Sequence, residues 1–178
     1  MHLNRPTVLI LASGRGERFC ASGGSGHKLQ ALLGNKTVLQ HTLDAVQMSA
    51  LPWHLEDGGH PGMGDSIAAA VRATPQSSGW LILPADLPLI QGDTLRRVAA
   101  ALQDHDVVLP IYQGQRGHPV GFSARCGAAL CELSGERGAA GIVGLFATHE
   151  LIVDDVGCVS DIDTVDDLCA AGRRLRNT

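Results

Sequence analysis

The sequence has few aromatic residues and no excess of positive charge. Phe, Trp and Tyr make up 3% of its 178 residues, and the formal net charge is −4 at pH 7. Domains that bind nucleic acids usually carry a basic patch, and those that bind single strands stack bases on aromatic rings. The composition therefore argues against DNA or RNA as a partner.

Long apolar runs are also missing. No stretch approaches the roughly 20 apolar residues that a membrane span needs. The first residues, MHLNRPTVLILASG, lack both the charged start and the small-residue cleavage site of a secretory signal. We therefore expect no membrane partner and a cytoplasmic location.

Cysteine and histidine do not occur in the patterns that hold soft metals. The five cysteines form an odd number without a CxxC pair, and the eight histidines show neither HxxxH nor HExxH spacing. A disulfide framework, a zinc knuckle and a histidine-built metal site are therefore not indicated. Any metal would be a hard cation held by carboxylates.

What the sequence does contain is an alternation of strand-like and helix-like segments. Continuous apolar runs at residues 7–12 and 80–86 are typical of strands that are covered on both faces. Apolar residues at helical spacing predict helices over residues 38–47, 66–73 and 94–102. Such alternation favours a parallel sheet between two layers of helices.

The C-terminal half adds an antiparallel feature. Residues 106–112 and 118–123 flank the glycine-containing segment QGQRG, which predicts a hairpin. Thr164 and Asp167 are spaced to cap a closing helix. We therefore predict one domain over residues 1–178, an α/β fold of three layers (α/β/α, Rossmann-like) with a mostly parallel sheet and an antiparallel hairpin addition.

The segment LASGRGERFCASGGSGHKL follows the first predicted strand and is rich in glycine. A dinucleotide-binding turn requires G-x-G-x-x-G and a P-loop requires G-K-[ST], and neither pattern is present. What remains is a set of backbone N–H groups together with Arg15, Arg18 and Lys28, enough to neutralise a triphosphate. Because ligands of open α/β sheets bind beyond the strand ends, we expect a nucleotide phosphate site here.

Several segments together carry a family resemblance. LASGRGERF…HKL, LPADLPLI, GHPVGFS, SGERGAAGI and DIDTVDDL follow one another along the chain. In this order they resemble the motifs of the MobA-like nucleotidyltransferases, over most of the chain. The nearest subgroup is the molybdenum cofactor cytidylyltransferases, which implies transfer of CMP from CTP to molybdopterin phosphate with loss of pyrophosphate.

The resemblance implies that the glycine-rich loop, the later GMGDS loop and an aspartate bind the nucleotide. Arg18, Lys28 and Asp86 are the expected catalytic residues. The full set of expected nucleotide-binding residues is Leu11, Ala12, Ser13, Gly14, Arg15, Gly16, Arg18, Lys28, Gly64, Ser66 and Asp86.

The expected cofactor is Mg²⁺. Asp86 follows a buried strand, between Pro84 and Pro88, where a ligand for a phosphate-bound cation should lie. The family resemblance implies a second acid in SDIDT, either Asp161 or Asp163. We favour Asp161, because Asp163 is close enough to the predicted helix start to be a cap.

The remaining motifs point to the acceptor. The resemblance implies that His118 lines the molybdopterin pocket. Glu136, Arg137 and Gly138 are predicted to start a helix, where free N–H groups favour an anion such as the molybdopterin phosphate. A molybdenum hydroxylase or its chaperone is a further implied partner.

Two alternatives and two departures from the family pattern accompany this interpretation. A GTP-dependent guanylyltransferase and a non-catalytic carrier of molybdopterin dinucleotide remain open. The loop at residues 19–27 separates Arg18 from Lys28 by more residues than is usual in the family. Residues 48–62 leave room for one short strand where the family normally has a strand, a helix and another strand.

Overall fold

The computed structural model describes residues 5–177. Strands and helices alternate along most of this range. The strands are β1 (Thr7–Leu11), β2 (Leu32–Leu33), β3 (Lys36–Thr37), β4 (Trp53–Glu56), β5 (Gly79–Pro84), β6 (Val107–Tyr112), β7 (Gln115–Arg116), β8 (Val120–Ser123) and β9 (Thr148–Ile152). The helices are α1 (Glu17–Ala21), α2 (Val38–Ser49), α3 (Met63–Ala73), α4 (Gly92–Ala101), α5 (Gly127–Cys131), α6 (Ala140–Val143) and α7 (Val165–Leu175).

The main sheet has the strand order β4-β1-β5-β8-β6-β7, with β9 also paired to β6. Strand β1 is parallel to both β4 and β5, and β9 is parallel to β6. Strand β8 runs antiparallel to both β5 and β6. The mostly parallel sheet with an antiparallel addition is therefore confirmed, and the antiparallel strand lies inside the sheet.

Both faces of the central strands are buried. Along β1, Val8 and Ile10 belong to one apolar cluster, whereas Leu9 and Leu11 belong to another. The first cluster includes side chains of α2, α4 and α7, and the second includes side chains of α3, α5 and α6. Since successive strand residues point to opposite faces, this division confirms the three-layer architecture.

A capping box explains where helix α7 begins. Thr164 accepts a hydrogen bond from the Asp167 amide, and the Asp167 carboxylate accepts one from the Thr164 amide, which confirms the expected cap of α7. Helix α3 begins at Met63, three residues before the predicted start, and buries Ile67, Ala70 and Val71 against the sheet.

The helices are short. The longest in the described range, α2, has 12 residues. No helix within residues 5–177 has the length and apolar character that crossing a bilayer requires.

Candidate active site

The residues singled out by the sequence collect at one edge of the sheet. The glycine-rich loop follows β1, Asp86 follows β5, and Glu56 ends β4. These three strands are parallel, so their carboxyl ends meet at the same edge. This edge is where open α/β sheets bind ligands.

The glycine-rich loop is tied to helix α3. The Ser13 and Ser66 hydroxyls are hydrogen-bonded at 2.8 Å, and Ser66 also donates to the Gly62 carbonyl. Gly16 adopts φ +68°, a left-handed conformation that turns the chain into α1 and that favours glycine. The loop thus keeps its backbone close to the start of α3.

Two cations and two carboxylates form one ionic cluster beside this loop. The Lys28 ammonium lies 2.6 Å from Asp86 Oδ2 and 3.0 Å from Asp163 Oδ1. The Arg18 guanidinium lies 2.7 Å from Asp163 Oδ2. Lys28 begins a 3-10 turn, Lys28–Gln30, so it reaches the site in spite of the long loop before it. The structure therefore brings Arg18, Lys28 and Asp86 together.

The contacts within the ionic cluster shift the pKa values of its residues. Burial alone would lower the pKa of Lys28, but hydrogen bonds and charge from Asp86 and Asp163 outweigh it and raise the pKa. Burial likewise opposes ionisation of Asp163, yet the Lys28 hydrogen bond and the charges of Lys28 and Arg18 lower the pKa of that carboxyl. Burial and the charges of Asp163 and Asp86 raise the pKa of Asp161. Lys28 and Asp163 are thus held in their charged forms.

The reason for favouring Asp161 over Asp163 does not hold. The cap of α7 is Thr164, and Asp163 instead directs its carboxylate toward Lys28 and Arg18. Asp161 and Asp163 both line the cavity that contains Asp86. The choice of Asp161 as a metal ligand stays a prediction, and Asp163 is an equal candidate.

The acids fit a divalent cation. Asp86 Oδ1 is buried and has no hydrogen-bond partner, and the Asp161 carboxyl lies close enough to interact with the charges of Asp163 and Asp86. Across residues 5–177 there is no group of three or more His, Cys, Asp or Glu side chains that could hold a metal. A cation here would therefore need further ligands from phosphates and water, as Mg²⁺ usually does.

Two cavities open on either side of the ionic cluster. The loop cavity, of about 500 Å³, lies between residues 13–19 and residues 60–63. The hairpin cavity, of about 390 Å³, lies between Asp86, residues 115–118 of the β6–β8 connection, and residues 158–163. Both cavities are lined by the same central residues, which are Ser13, Gly14, Arg18, Lys28, Met63 and Asp163.

The other predicted nucleotide-binding residues differ in which cavity they line. Arg15 and Gly16 line it directly, whereas Leu11 lines the hairpin cavity. Ala12, Gly64 and Ser66 are not among the described residues that line either cavity. Two of them pack against neighbouring segments instead. The Ala12 amide donates to the Glu56 carbonyl, and Gly64 lies so close to the next loop that a Cβ on it would come within 2.7 Å of the Arg137 carbonyl.

His118 lines the hairpin cavity, and its role in a molybdopterin pocket stays a prediction. Its amide donates to the Cys158 carbonyl at 2.8 Å, which fixes the segment against the 3-10 turn Val156–Val159. Burial lowers the pKa of His118, although the charge of Asp86 opposes this, so the imidazole is neutral at pH 7. Its Nδ1 is buried and has no hydrogen-bond partner among the described residues.

The predicted helix start at Glu136, Arg137 and Gly138 is wrong. Helix α6 begins at Ala140 and has four residues, so these three residues precede it in a loop. The loop is held by α3 instead: the Asp65 carboxylate accepts a hydrogen bond from the Gly135 amide, and the Gly64 amide donates to the Gly135 carbonyl. Glu136 lines the loop cavity, while Arg137 and Gly138 are not among the described residues lining either cavity.

Two groups of cavity residues are missed by the sequence analysis. His60 lines the loop cavity and shares the Glu56 carboxylate with His54, at 3.0 and 3.3 Å. Gln115 and Arg116 line the hairpin cavity. The glutamate–histidine contacts leave no motif in the sequence, whereas the position of Arg116 directly before GHPVGF is a usable signal.

Comparisons with known proteins agree with this architecture. The sequence model of the MobA-like NTP transferase domain matches residues 45–151. None of the curated proteins matches the sequence significantly.

Solved structures with the same fold extend over nearly the whole chain. Rv0371c from Mycobacterium tuberculosis H37Rv superimposes with a TM-score of 0.80 at 23% identity, covering 97% of this chain and 100% of its own. Rv0371c in complex with manganese gives 0.73 at 21% identity, covering 96% and 98%. Molybdopterin-guanine dinucleotide biosynthesis protein A from Archaeoglobus fulgidus gives 0.71 at 16% identity, covering 97% and 100%.

Proposed function

This chain belongs to the MobA-like NTP transferase domain family, and we propose that it transfers CMP from CTP to the phosphate of molybdopterin with release of pyrophosphate. The observation that carries the proposal is the position of Lys28, which lines both cavities and contacts both Asp86 and Asp163. A group-transfer enzyme needs two substrate sites that meet at charged residues. The loop and hairpin cavities meet this requirement.

The reaction needs positioned charge more than a general base. An oxygen of the acceptor phosphate forms a bond to the α-phosphorus, the bond from that phosphorus to its β-bridging oxygen breaks, and pyrophosphate leaves with the electron pair. A phosphate monoester is already anionic at neutral pH, so its oxygen needs no deprotonation. The chain's task is to align the two substrates and to stabilise the developing charge.

The loop cavity would hold the nucleoside triphosphate. Its walls offer the backbone amides around Gly14 and Gly16, together with Arg15 and Arg18. Arg18 and Lys28 are bound to carboxylates in the structure. We propose that both cations exchange these partners for phosphate oxygens when nucleotide binds, which orients the leaving pyrophosphate.

A divalent cation, proposed to be Mg²⁺, would be held by Asp86 with Asp161 or Asp163. When bound, such a cation neutralises phosphate charge and makes the phosphorus more electrophilic. The free Oδ1 of Asp86 and the manganese bound by the neighbouring structure Rv0371c support this assignment.

The hairpin cavity would hold the acceptor, with His118 in its wall. The Archaeoglobus fulgidus neighbour is named for molybdopterin-guanine dinucleotide biosynthesis, which supports molybdopterin as acceptor and also keeps GTP as the second candidate donor. We favour CTP because the segment LPADLPLI resembles the cytidylyl branch of the family more than the guanylyl branch. The single domain over residues 1–178, the cytoplasmic location and a molybdenum hydroxylase or its chaperone as partner stay predictions.

Pyrophosphate release tests the proposal. The protein is incubated with molybdopterin and either CTP or GTP, with and without Mg²⁺. We expect metal-dependent release of one pyrophosphate per molybdopterin with CTP. Release with GTP alone would establish the guanylyl alternative. Binding of nucleotide and molybdopterin without any release would contradict the enzymatic proposal and favour the carrier.

A further inference from the structure

One of the cationic side chains that line the hairpin cavity is not neutralised by a carboxylate of the ionic cluster. Among the cationic residues lining this cavity, Lys28 and Arg18 are paired with carboxylates. Arg116 also lines it, is exposed, and has no carboxylate within 4.0 Å in the part of the chain that the structure describes. Its five N–H donors are therefore available to a ligand.

Arg116 is held in place by a tight hairpin. Strands β6 and β7 pair Ile111 with Arg116 and Tyr112 with Gln115, which leaves a turn of two residues, Gln113 and Gly114, with φ values of 48° and 81°. Positive φ at both positions is the conformation that suits the twist of a two-residue hairpin.

The base of the hairpin is fixed as well. The Gly117 amide donates to the Pro110 carbonyl at 2.8 Å, and a Cβ on Gly117 would lie 2.6 Å from both the carbonyl oxygen and Sγ of Cys158. No side chain fits there, so the backbone after Arg116 packs directly on the 3-10 turn that borders the cavity. These two contacts therefore fix the backbone from which the Arg116 side chain extends.

We propose that Arg116 binds the phosphate monoester group of the acceptor. Three carboxylates, Asp86, Asp161 and Asp163, line the hairpin cavity, and the two cations Lys28 and Arg18 are already paired with two of them, so a further cation is needed to attract a dianionic phosphate. A guanidinium can bind two phosphate oxygens at once, which also orients the group. For the nucleotide phosphates, Arg15 lines the loop cavity alone, and Arg18 and Lys28 line both cavities.

This assignment rests on the proposed function for the identity of the acceptor, and it replaces the expected role of Arg137. Arg137 precedes the four-residue helix α6 and is not among the described residues lining the hairpin cavity. Arg116 is on the correct side of the ionic cluster for a second substrate.

Inorganic phosphate is the first probe, because its binding needs no turnover. The Nε–Hε resonances of the arginine side chains are followed by NMR during a phosphate titration, and the Arg116 resonance is identified by its loss in Arg116→Gln. We expect that resonance to shift and the phosphate Kd to rise about tenfold or more in Arg116→Gln. Arg173→Gln, an exposed arginine on α7, should leave the Kd unchanged.

The titration is repeated at saturating CTP with Mg²⁺ to separate the two sources of phosphate. An Arg116 shift that persists supports the acceptor site. A resonance that does not move with phosphate, or a shift that CTP abolishes, would overturn the proposal, because Arg116 would then bind no anion or would serve the nucleotide.

Steady-state kinetics of pyrophosphate release provide the second test. In the pyrophosphate assay, Arg116→Gln should raise KM for molybdopterin about tenfold or more while KM for CTP stays unchanged. An unchanged KM for molybdopterin would also overturn the inference. Absence of pyrophosphate release from the wild-type protein would count against the proposed function alone, since the phosphate titration still decides the role of Arg116.

Discussion

The two cavities are built in different ways. The loop cavity is formed largely by one stretch after β1, residues 13–19, and offers many backbone groups. The hairpin cavity is assembled from side chains of distant segments, including Asp86, Arg116, His118 and Asp161. A backbone-rich site suits the repeated phosphates of a nucleotide, whereas a side-chain site can be selective for one acceptor. In the proposed reaction, the two substrates would meet at the shared wall.

The largest effect should come from the residue that binds Lys28 of the shared wall. Asp86 lines the hairpin cavity and binds Lys28, which lines both cavities, so Asp86→Asn removes this contact together with a ligand of the proposed metal. We expect kcat/KM for pyrophosphate release to fall about 10²–10³-fold. Asp93→Asn is a matched control, because Asp93 is exposed on α4 and paired with Arg96. Equal losses in the two variants would show that Asp86 has no special role.

A second variant should affect the loop cavity alone. Gly64→Ala places a Cβ 2.7 Å from the Arg137 carbonyl and 2.9 Å from backbone atoms of Ser134, which forces α3 away from the following loop. We expect KM for CTP to rise, KM for molybdopterin to stay unchanged, and the free energy of unfolding to fall by about 1–3 kcal/mol.

Gly141→Ala is the control for that variant. Its added Cβ meets no atom within 4 Å. The free energy of unfolding should therefore stay within about 0.5 kcal/mol of the wild-type value. A rise of KM for molybdopterin in Gly64→Ala would show that the two cavities are not independent.

The loop cavity was largely predictable from the sequence, because its residues are contiguous. The strand before LASGRGER and the absence of a P-loop pattern both fit the observed loop. Residues 48–62 are expected to contain one short strand, and residues 53–56 form it. Thr164 was also predictable, since a capping box is a local feature.

The hairpin cavity was less predictable, because tertiary packing creates it. The contact of Lys28 with Asp163 spans 135 positions of the chain. The helix expected at residues 136–138 does not form there because Asp65, on α3, binds the Gly135 amide. Sequence motifs indicated which residues matter, but they could not show which cavity each residue lines.

A third pair of variants compares the two acids of the C-terminal segment. The pKa of Asp163 is lowered, so its ionised form stabilises the fold above its ordinary value of 3.8, and this contribution is lost as the pH falls below that value. Asp163→Asn should therefore lower the free energy of unfolding by about 1–3 kcal/mol at pH 7, with the difference shrinking below pH 3.8.

Asp161→Asn should change the free energy of unfolding in the opposite direction and raise it at pH 7. The pKa of Asp161 is raised, so its ionised form destabilises the fold at neutral pH, and the penalty fades as the pH falls toward 3.8. Because burial of Asp161 is only partial and much of its surface is accessible to solvent, which screens its charge, we expect a gain of only a few tenths of a kcal/mol at pH 7. Chemical denaturation between pH 3 and pH 8 checks both signs. Loss of stability in both variants at pH 7 would contradict the described electrostatics.

The smallest effect on substrate binding should come from the link between the glycine-rich loop and α3. Ser66→Ala removes the hydroxyl that binds Ser13, so the loop loses one anchor while the helix is kept. We expect KM for CTP to rise a few-fold and the free energy of unfolding to fall by about 1 kcal/mol. Ser49→Ala, which removes a buried hydroxyl bound to the Val46 carbonyl, should lower stability similarly without changing KM. Equal KM values in the two variants would show that the Ser13 contact does not position the loop.

Calorimetric titration with CTP tests most directly whether the two cavities divide the substrates. The wild-type protein, Asp86→Asn and Arg116→Gln are titrated with CTP in the presence and absence of Mg²⁺. We predict metal-dependent binding to the wild type and to Arg116→Gln with the same Kd, and loss of that binding in Asp86→Asn. Failure of CTP to bind the wild type, or equal weakening in both variants, would contradict the account.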